Sequence, residues 1–215
     1  MSLRRPRNLA AILLPYACRG AVAVVVGDPV VALLALSPSV LVGPDLARFV
    51  GGRSETVGAL LTGAIVVSFA LLMAMGRTQN ASAPLFAFVI GAAFAGAIPT
   101  VRDAILPVLD GARYVAAVII LGVAVVTGLA LVDPRAVGLA VLVLAVGGVS
   151  AAIGAMAFGG DWRAAAIGAG TRDPAVAAAL TIASGLVGGT AVAVAYAALL
   201  ALGLGVARLL VARQS

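Results

Sequence analysis

The chain has 215 residues with 14 Arg, no Lys, 8 acidic residues and no His, a net charge of +6. It is 63% hydrophobic and only 10% charged, with a mean hydropathy of +1.21, where a soluble domain carries about 25% charge. That leaves too little polar surface for a water-exposed globule. Long Ala, Val, Leu and Gly runs without period-two alternation also exclude an outer-membrane barrel.

What remains is an all-α, polytopic membrane protein whose helices satisfy their own backbone hydrogen bonds. The arginines sit mostly at segment ends, so they read as topology signals, and no nucleic-acid partner is expected. Cys18 is the single cysteine, which excludes an intrachain disulfide. The absence of His removes the usual metal ligand and the usual neutral-pH proton carrier. No P-loop spacing is present, the carboxylates are dispersed, and Cys18 has no imidazole to activate it. No catalytic residue, metal site or cofactor is therefore expected, and the chain is not read as an enzyme.

About 20 apolar residues cross a bilayer as a helix, and seven segments qualify. The first is long and broken: 8–27, then Asp28-Pro29, then 30–43. The second is 57–76 and the third 84–101. An amphipathic stretch, 102–113, leads into the fourth, 114–132, which Asp133-Pro134-Arg135 ends. The fifth is 136–158. The sixth, 164–183, is broken at Thr171-Arg172-Asp173-Pro174. The seventh is 185–211, where Gly185 and Gly189 make a GxxxG spacing that lets helices approach. Seven crossings put the termini on opposite sides. Arg48, Arg53, Arg102, Arg113, Arg163, Arg208 and Arg213 then share one side, against Arg77, Arg135, Arg4, Arg5 and Arg7 on the other. The larger group puts the C-terminus in the cytoplasm. The Arg-for-Lys, Ala- and Gly-rich composition fits a GC-rich bacterial genome, hence a bacterial plasma membrane.

Charge at mid-membrane depth costs about 2.5–3.5 kcal/mol on insertion scales, and such residues usually face a cavity or a partner. Two places carry it, both at helix breaks. One runs from Pro15-Tyr16-Ala17-Cys18-Arg19-Gly20 to Gly27-Asp28-Pro29, with Arg19 too deep for an end anchor and Asp28 able to cap the next helix. The other is Gly168-Ala169-Gly170-Thr171-Arg172-Asp173-Pro174, where Pro174 can start a new helix. Asp28-Pro29-Val30-Val31 is echoed by Asp173-Pro174-Ala175-Val176. Two interrupted apolar segments in corresponding halves point to a transporter's binding site. The candidate substrate-binding residues are Cys18, Arg19, Asp28, Thr171, Arg172 and Asp173. The arginines are read as charge partners of an anion and the aspartates as orienting carboxylates. The structural alternatives are that Arg19 snorkels and that Asp28, Arg172 and Asp173 lie in loops.

In this order and spacing the chain resembles the bile acid:sodium symporter family. Members carry a broken helix reading roughly Pro-Gly-Gly-x-x-Ser-Asn, then Gly-Asp or Gly-Asn, a hydroxyl-rich stretch and Pro. Here the run is Pro15 to Gly27-Asp28, 30–39 and Pro44. A second broken helix, Glu-x-Gly-x-Gln-Asn, falls on 168–173. The resemblance implies two crossing broken helices in a partial inverted repeat, 1–76 being a remnant of the first repeat and 84–211 the second. It covers only the family's fourth to tenth helices, so the expectation is a shortened gene product, a natural start upstream of Met1, or a partner subunit that supplies the rest; a homo-oligomer is the other partnership expected. It also implies that the sodium ligands are lost. The family Ser-Asn falls on Cys18-Arg19, the Glu on Gly168, the Gln-Asn on Arg172-Asp173, and the hydroxyl positions on Ala32 and Leu36. Guanidiniums donate only and cannot ligate sodium. The expected function is a secondary carrier of a small organic anion, without sodium coupling, working by alternating access in the lipid bilayer. The alternative is a truncated transporter homologue with a structural or assembly role.

Overall fold

The structure, a computed structural model, describes residues 6–39, 42–49, 99–157, 161–186 and 188–212. These form helices throughout: α1 (Pro6–Val26), α2 (Pro29–Leu36), α3 (Val42–Phe49), α4 (Pro99–Gly128), α5 (Pro134–Ala157), α6 (Asp161–Gly170), α7 (Pro174–Ala183) and α8 (Gly189–Ala212), with a 3-10 turn at Leu129–Leu131. The expected second crossing (57–76), most of the third (84–101) and the side chains of 102–113 lie outside the described residues.

Among the described residues, two stretches are long and apolar enough to cross a membrane, Tyr114–Leu131 and Pro134–Gly154. Leu13–Val26 and Gly189–Gly205 are apolar but shorter. The first long stretch is only 11% buried. It leaves Val118 and Val126 exposed by 71% and 84%, while the interior of the molecule holds arginine.

Local chemistry accounts for the element ends. Asp28 accepts from the amides of Val30 (2.8 Å) and Val31 (3.3 Å) at the start of α2, and Pro29 fills a first-turn position where no amide is needed. Gly27, at φ 68°, supplies the left-handed residue that turns α1 into α2. Asp133 accepts from Ala136 N (2.7 Å) at the start of α5. Asp173 accepts from Ala175 N (3.1 Å) at the start of α7.

Three boundaries differ from expectation. The first expected break does not extend back to Cys18. Helix α1 runs unbroken through Pro15, Cys18 and Arg19 to Val26, since a proline removes one hydrogen bond without ending a helix whose other turns are packed. The helix after Asp28 ends at Leu36 instead of reaching residue 43, and a buried Ser37-Pro38-Ser39 segment follows. The stretch from 102 is continuous with the fourth crossing in one helix, α4. In addition, Gly185 (φ 64°) stands in the turn before α8 and Gly189 is the first residue of α8, so the GxxxG spacing spans a turn and lies on no helix face.

Helices α2 and α3 therefore form one interrupted pair and α6 and α7 another. Helix α2 packs on α7, and α3 packs on α6. Helix α1 lies against α2, α5 and α6, while α8 lies against α4, α5 and α7. The apolar core joins Val31, Leu34, Val143, Ala177, Ala178 and Tyr196 from α2, α5, α7 and α8.

Candidate functional site

The two interruptions meet. At the end of α6 the last turn of carbonyls has no helical partner. Thr171 Oγ1 donates to one of them, Gly168 O, at 3.0 Å. The next, Ala169 O, receives two guanidiniums: Arg19 Nη1 at 2.8 Å and Arg172 Nη2. Arg172 Nη1 donates at 2.7 Å to Ser37 O, at the end of α2. One side chain thus ties the C-terminal ends of both half-helices together. Partial negative charge at helix C-termini favours a cation there.

The rest of the site supports this contact. Arg172 lies over the Tyr16 ring, 4.4 Å from its centre. Tyr16 and Arg19 are three residues apart on α1 and so share a face. Tyr196 of α8 accepts the Arg172 backbone amide on its hydroxyl at 3.0 Å. Ser37 Oγ turns back to Leu34 O (2.9 Å). On α5, Gly147 permits the close approach: a Cβ there would stand 2.5 Å from Gly170 O and 2.7 Å from Arg19 Nη2.

Both arginines are buried, Arg19 at 1% and Arg172 at 0% exposure. Neither is an end anchor, so the snorkelling alternative does not describe Arg19. Among the described residues, every hydrogen bond that the two guanidiniums donate ends on a backbone carbonyl. Arg19 Nε and Nη2, Arg172 Nε, Tyr16 Oη and Ser39 Oγ are buried without a hydrogen-bonding partner. Two unit charges 4 Å apart repel by about 4 kcal/mol even at an effective dielectric of about 20, and buried unpaired donors add their own desolvation cost.

Of the six candidate residues, the structure brings Arg19, Thr171, Arg172 and Asp173 to this place. It separates the other two. Asp28 stands one length of α2 away, about 12 Å at 1.5 Å per residue. Its carboxylate caps α2 and takes a 2.9 Å ion pair from the exposed Arg135, not from either buried arginine. The structure thus places Asp28 apart from the arginine centre. Cys18 is half-buried and lines a groove between α1 and α5 with Val22, Val146 and Ser150. Asp173 is buried at the N-cap of α7.

Tyr16, Ser37, Ser39, Gly147 and Tyr196 belong to the site without having been expected there. Ser37-Pro38-Ser39 had a readable signal, a proline between two hydroxyls in an apolar run. Gly147 and Tyr196 had none, because long-range packing alone brings them in. Among the described residues no group of His, Cys, Asp and Glu could hold a metal ion.

Comparison with protein-family models, with curated proteins and with solved structures finds no match to this chain.

Proposed function

We propose that this protein is a multi-pass protein of a bacterial plasma membrane that carries a small organic anion by alternating access, without sodium. The observation that carries the reading is the pair of buried arginines at the meeting of two interrupted helices, with donors left over after the backbone is served. Half-helix ends are where membrane carriers hold ions and substrates. Here the carbonyls at the ends of α2 and α6 already accept guanidinium N–H groups. Arg19 and Arg172 act as tethered cations where a sodium-coupled relative would bind free ones, which agrees with the resemblance to the bile acid:sodium symporter family. The bilayer reading rests on the two membrane-length apolar stretches and on the exposed valines of α4. Leaving such surface in water would cost about 25 cal/mol for each Å².

A second reading is a non-transporting homologue with a structural role in the membrane. It is favoured by the way Arg172 spends two of its donors on tying the interruptions together. Uptake of radiolabelled lactate into proteoliposomes, with sodium replaced by choline, separates the two. A carrier takes up lactate above empty liposomes and loses it on Arg172→Ala. A structural protein shows no uptake in either form, and uptake that requires sodium contradicts the proposed mechanism.

A further inference from the structure

We infer that α3 is a lid on the arginine centre, and that the centre opens to water on the side of α3 and α6, away from Arg135. The inference rests on the bilayer reading above but on no particular solute. Arg19 Nε and Nη2, Arg172 Nε, Tyr16 Oη and Ser39 Oγ have no hydrogen-bonding partner and almost no surface that water can reach. Polar groups held in this way carry an unrelieved desolvation cost. A motion that lets water in relieves it, so the closed packing is favoured less than its apolar contacts alone would make it. The route in is set by where those contacts are fewest.

The two halves of the crossing are sealed differently. Arg135, at the start of α5, pairs with Asp28, at the start of α2, so both helices begin at one face and α2 runs from it to the crossing. Helix α7 packs on α2 in the same half. Val31, Leu33, Leu34 and Leu36 of α2 and Leu180 of α7 are all buried. Opening that half parts branched side chains, each costlier to uncover to water than a single methyl group. The other half holds α6, beside the far end of α5, where a Cβ on Gly154 would stand 2.8 Å from the Ala166 Cβ. Among the described residues, the buried apolar side chains of α3 and α6 are those of Ala47, Ala166 and Ala169. Among the described helices, the one that α3 packs on is α6. The contact is close: a Cβ on Gly43 would stand 2.6 Å from Gly168 O, one residue before the carbonyl that both arginines share. Further along α3, Tyr114 of α4 donates a 2.5 Å hydrogen bond to Asp45 Oδ2 at an exposed position. A short helix seated on glycine and alanine and latched by an exposed hydrogen bond lifts at less cost than α2.

The test reads thiol accessibility in a Cys18→Ser background, in vesicles of both orientations, with a sulfonated, membrane-impermeant methanethiosulfonate. Arg135→Cys marks its own face. Ser39→Cys is expected to react about tenfold faster from the opposite face, the difference between a locally opening segment and a packed one. Tyr114→Phe removes the latch and should raise that rate about 3- to 10-fold, the factor for one net hydrogen bond. Gly43→Ala should raise it as well, because the added methyl meets the Gly168 carbonyl, which as backbone cannot swing aside. Neither change should alter the Arg135→Cys rate. Amide hydrogen exchange of the unmodified chain in lipid nanodiscs needs no variant, and α3 should exchange about tenfold faster than α2. The inference is overturned if Ser39→Cys reacts faster from the Arg135 face, equally from both faces or from neither. It is overturned also if Tyr114→Phe or Gly43→Ala leaves the rate unchanged, or if α3 exchanges as slowly as α2. The expected labelling in a protein that takes up no lactate sustains the lid and refutes carriage. Lactate uptake with an unreactive Ser39→Cys does the reverse.

Discussion

Arg19 and Arg172 donate to the same oxygen, the carbonyl of Ala169, although one lies inside α1 and the other between α6 and α7. The shared acceptor places two buried guanidiniums side by side. It also fixes the end of α6 against α1, and through Ser37 against the end of α2. A change at any of these contacts should be felt at the others.

Tyr196 is the first case. Its hydroxyl is the acceptor for the Arg172 backbone amide. Tyr196→Phe leaves that buried N–H unpaired and should cost about 1–3 kcal/mol of stability. Reversible unfolding in detergent measures the loss. An unchanged stability would mean that the amide finds another partner.

Gly147 is the second. A methyl group there meets the Gly170 carbonyl, which belongs to the backbone and cannot swing aside. Gly147→Ala should destabilise by about 1–3 kcal/mol, the usual range for overpacking. Gly138 lies on the same helix with nothing near its Cβ position, so Gly138→Ala should cause no loss. Thermal midpoints of the two variants, taken side by side, check the contrast.

Asp28 serves α2 and not the arginine centre. Asp28→Ala should cost about 1 kcal/mol through the lost cap, and Arg135→Ala less than about 1 kcal/mol because that arginine is 76% exposed. Lactate uptake by Asp28→Asn should equal wild type. A severe uptake defect in that variant would return Asp28 to the site.

The bilayer reading is checked by thiol labelling in a Cys18→Ser background. A cysteine at Val118 or Val126, on the exposed apolar face of α4, should resist a charged, membrane-impermeant maleimide in intact membranes and react in detergent. A cysteine at Arg135, beside the end of that span, should react in both. Rapid labelling of Val126→Cys in intact membranes would contradict residence in lipid.

Much of the local structure was legible in the sequence. Asp28 reads as a cap, Pro174 as the first residue of a new helix and Asp133-Pro134 as the end of the fourth crossing, and all three Asp-Pro pairs start a helix. The break at residues 171–173 was legible for the same reason, with two glycines before it. Pro15 misled, because a lone proline in an apolar run looks the same whether the helix stops or continues. Ser37-Pro38-Ser39 carried a readable signal, a proline between two hydroxyls, yet the apolar length around it favours a helix running on to residue 43. The matching dipeptides at Asp28 and Asp173 implied equivalent places, yet one caps a helix beside a surface ion pair and the other lies in the buried interruption. Which carbonyls the two arginines reach depends on how the helices pack, and no spacing along the chain encodes that.

The central claim is that an anion bound at this arginine centre is exposed to each side of the membrane in turn. Counterflow tests it most directly, since exchange of external labelled lactate for internal unlabelled lactate needs a site that alternates and no driving ion. Proteoliposomes loaded with lactate and diluted into sodium-free medium with a trace of label should show transient accumulation. That accumulation should be absent in Arg172→Ala. Accumulation no greater than in protein-free liposomes, or equal accumulation in Arg172→Ala, would contradict the account.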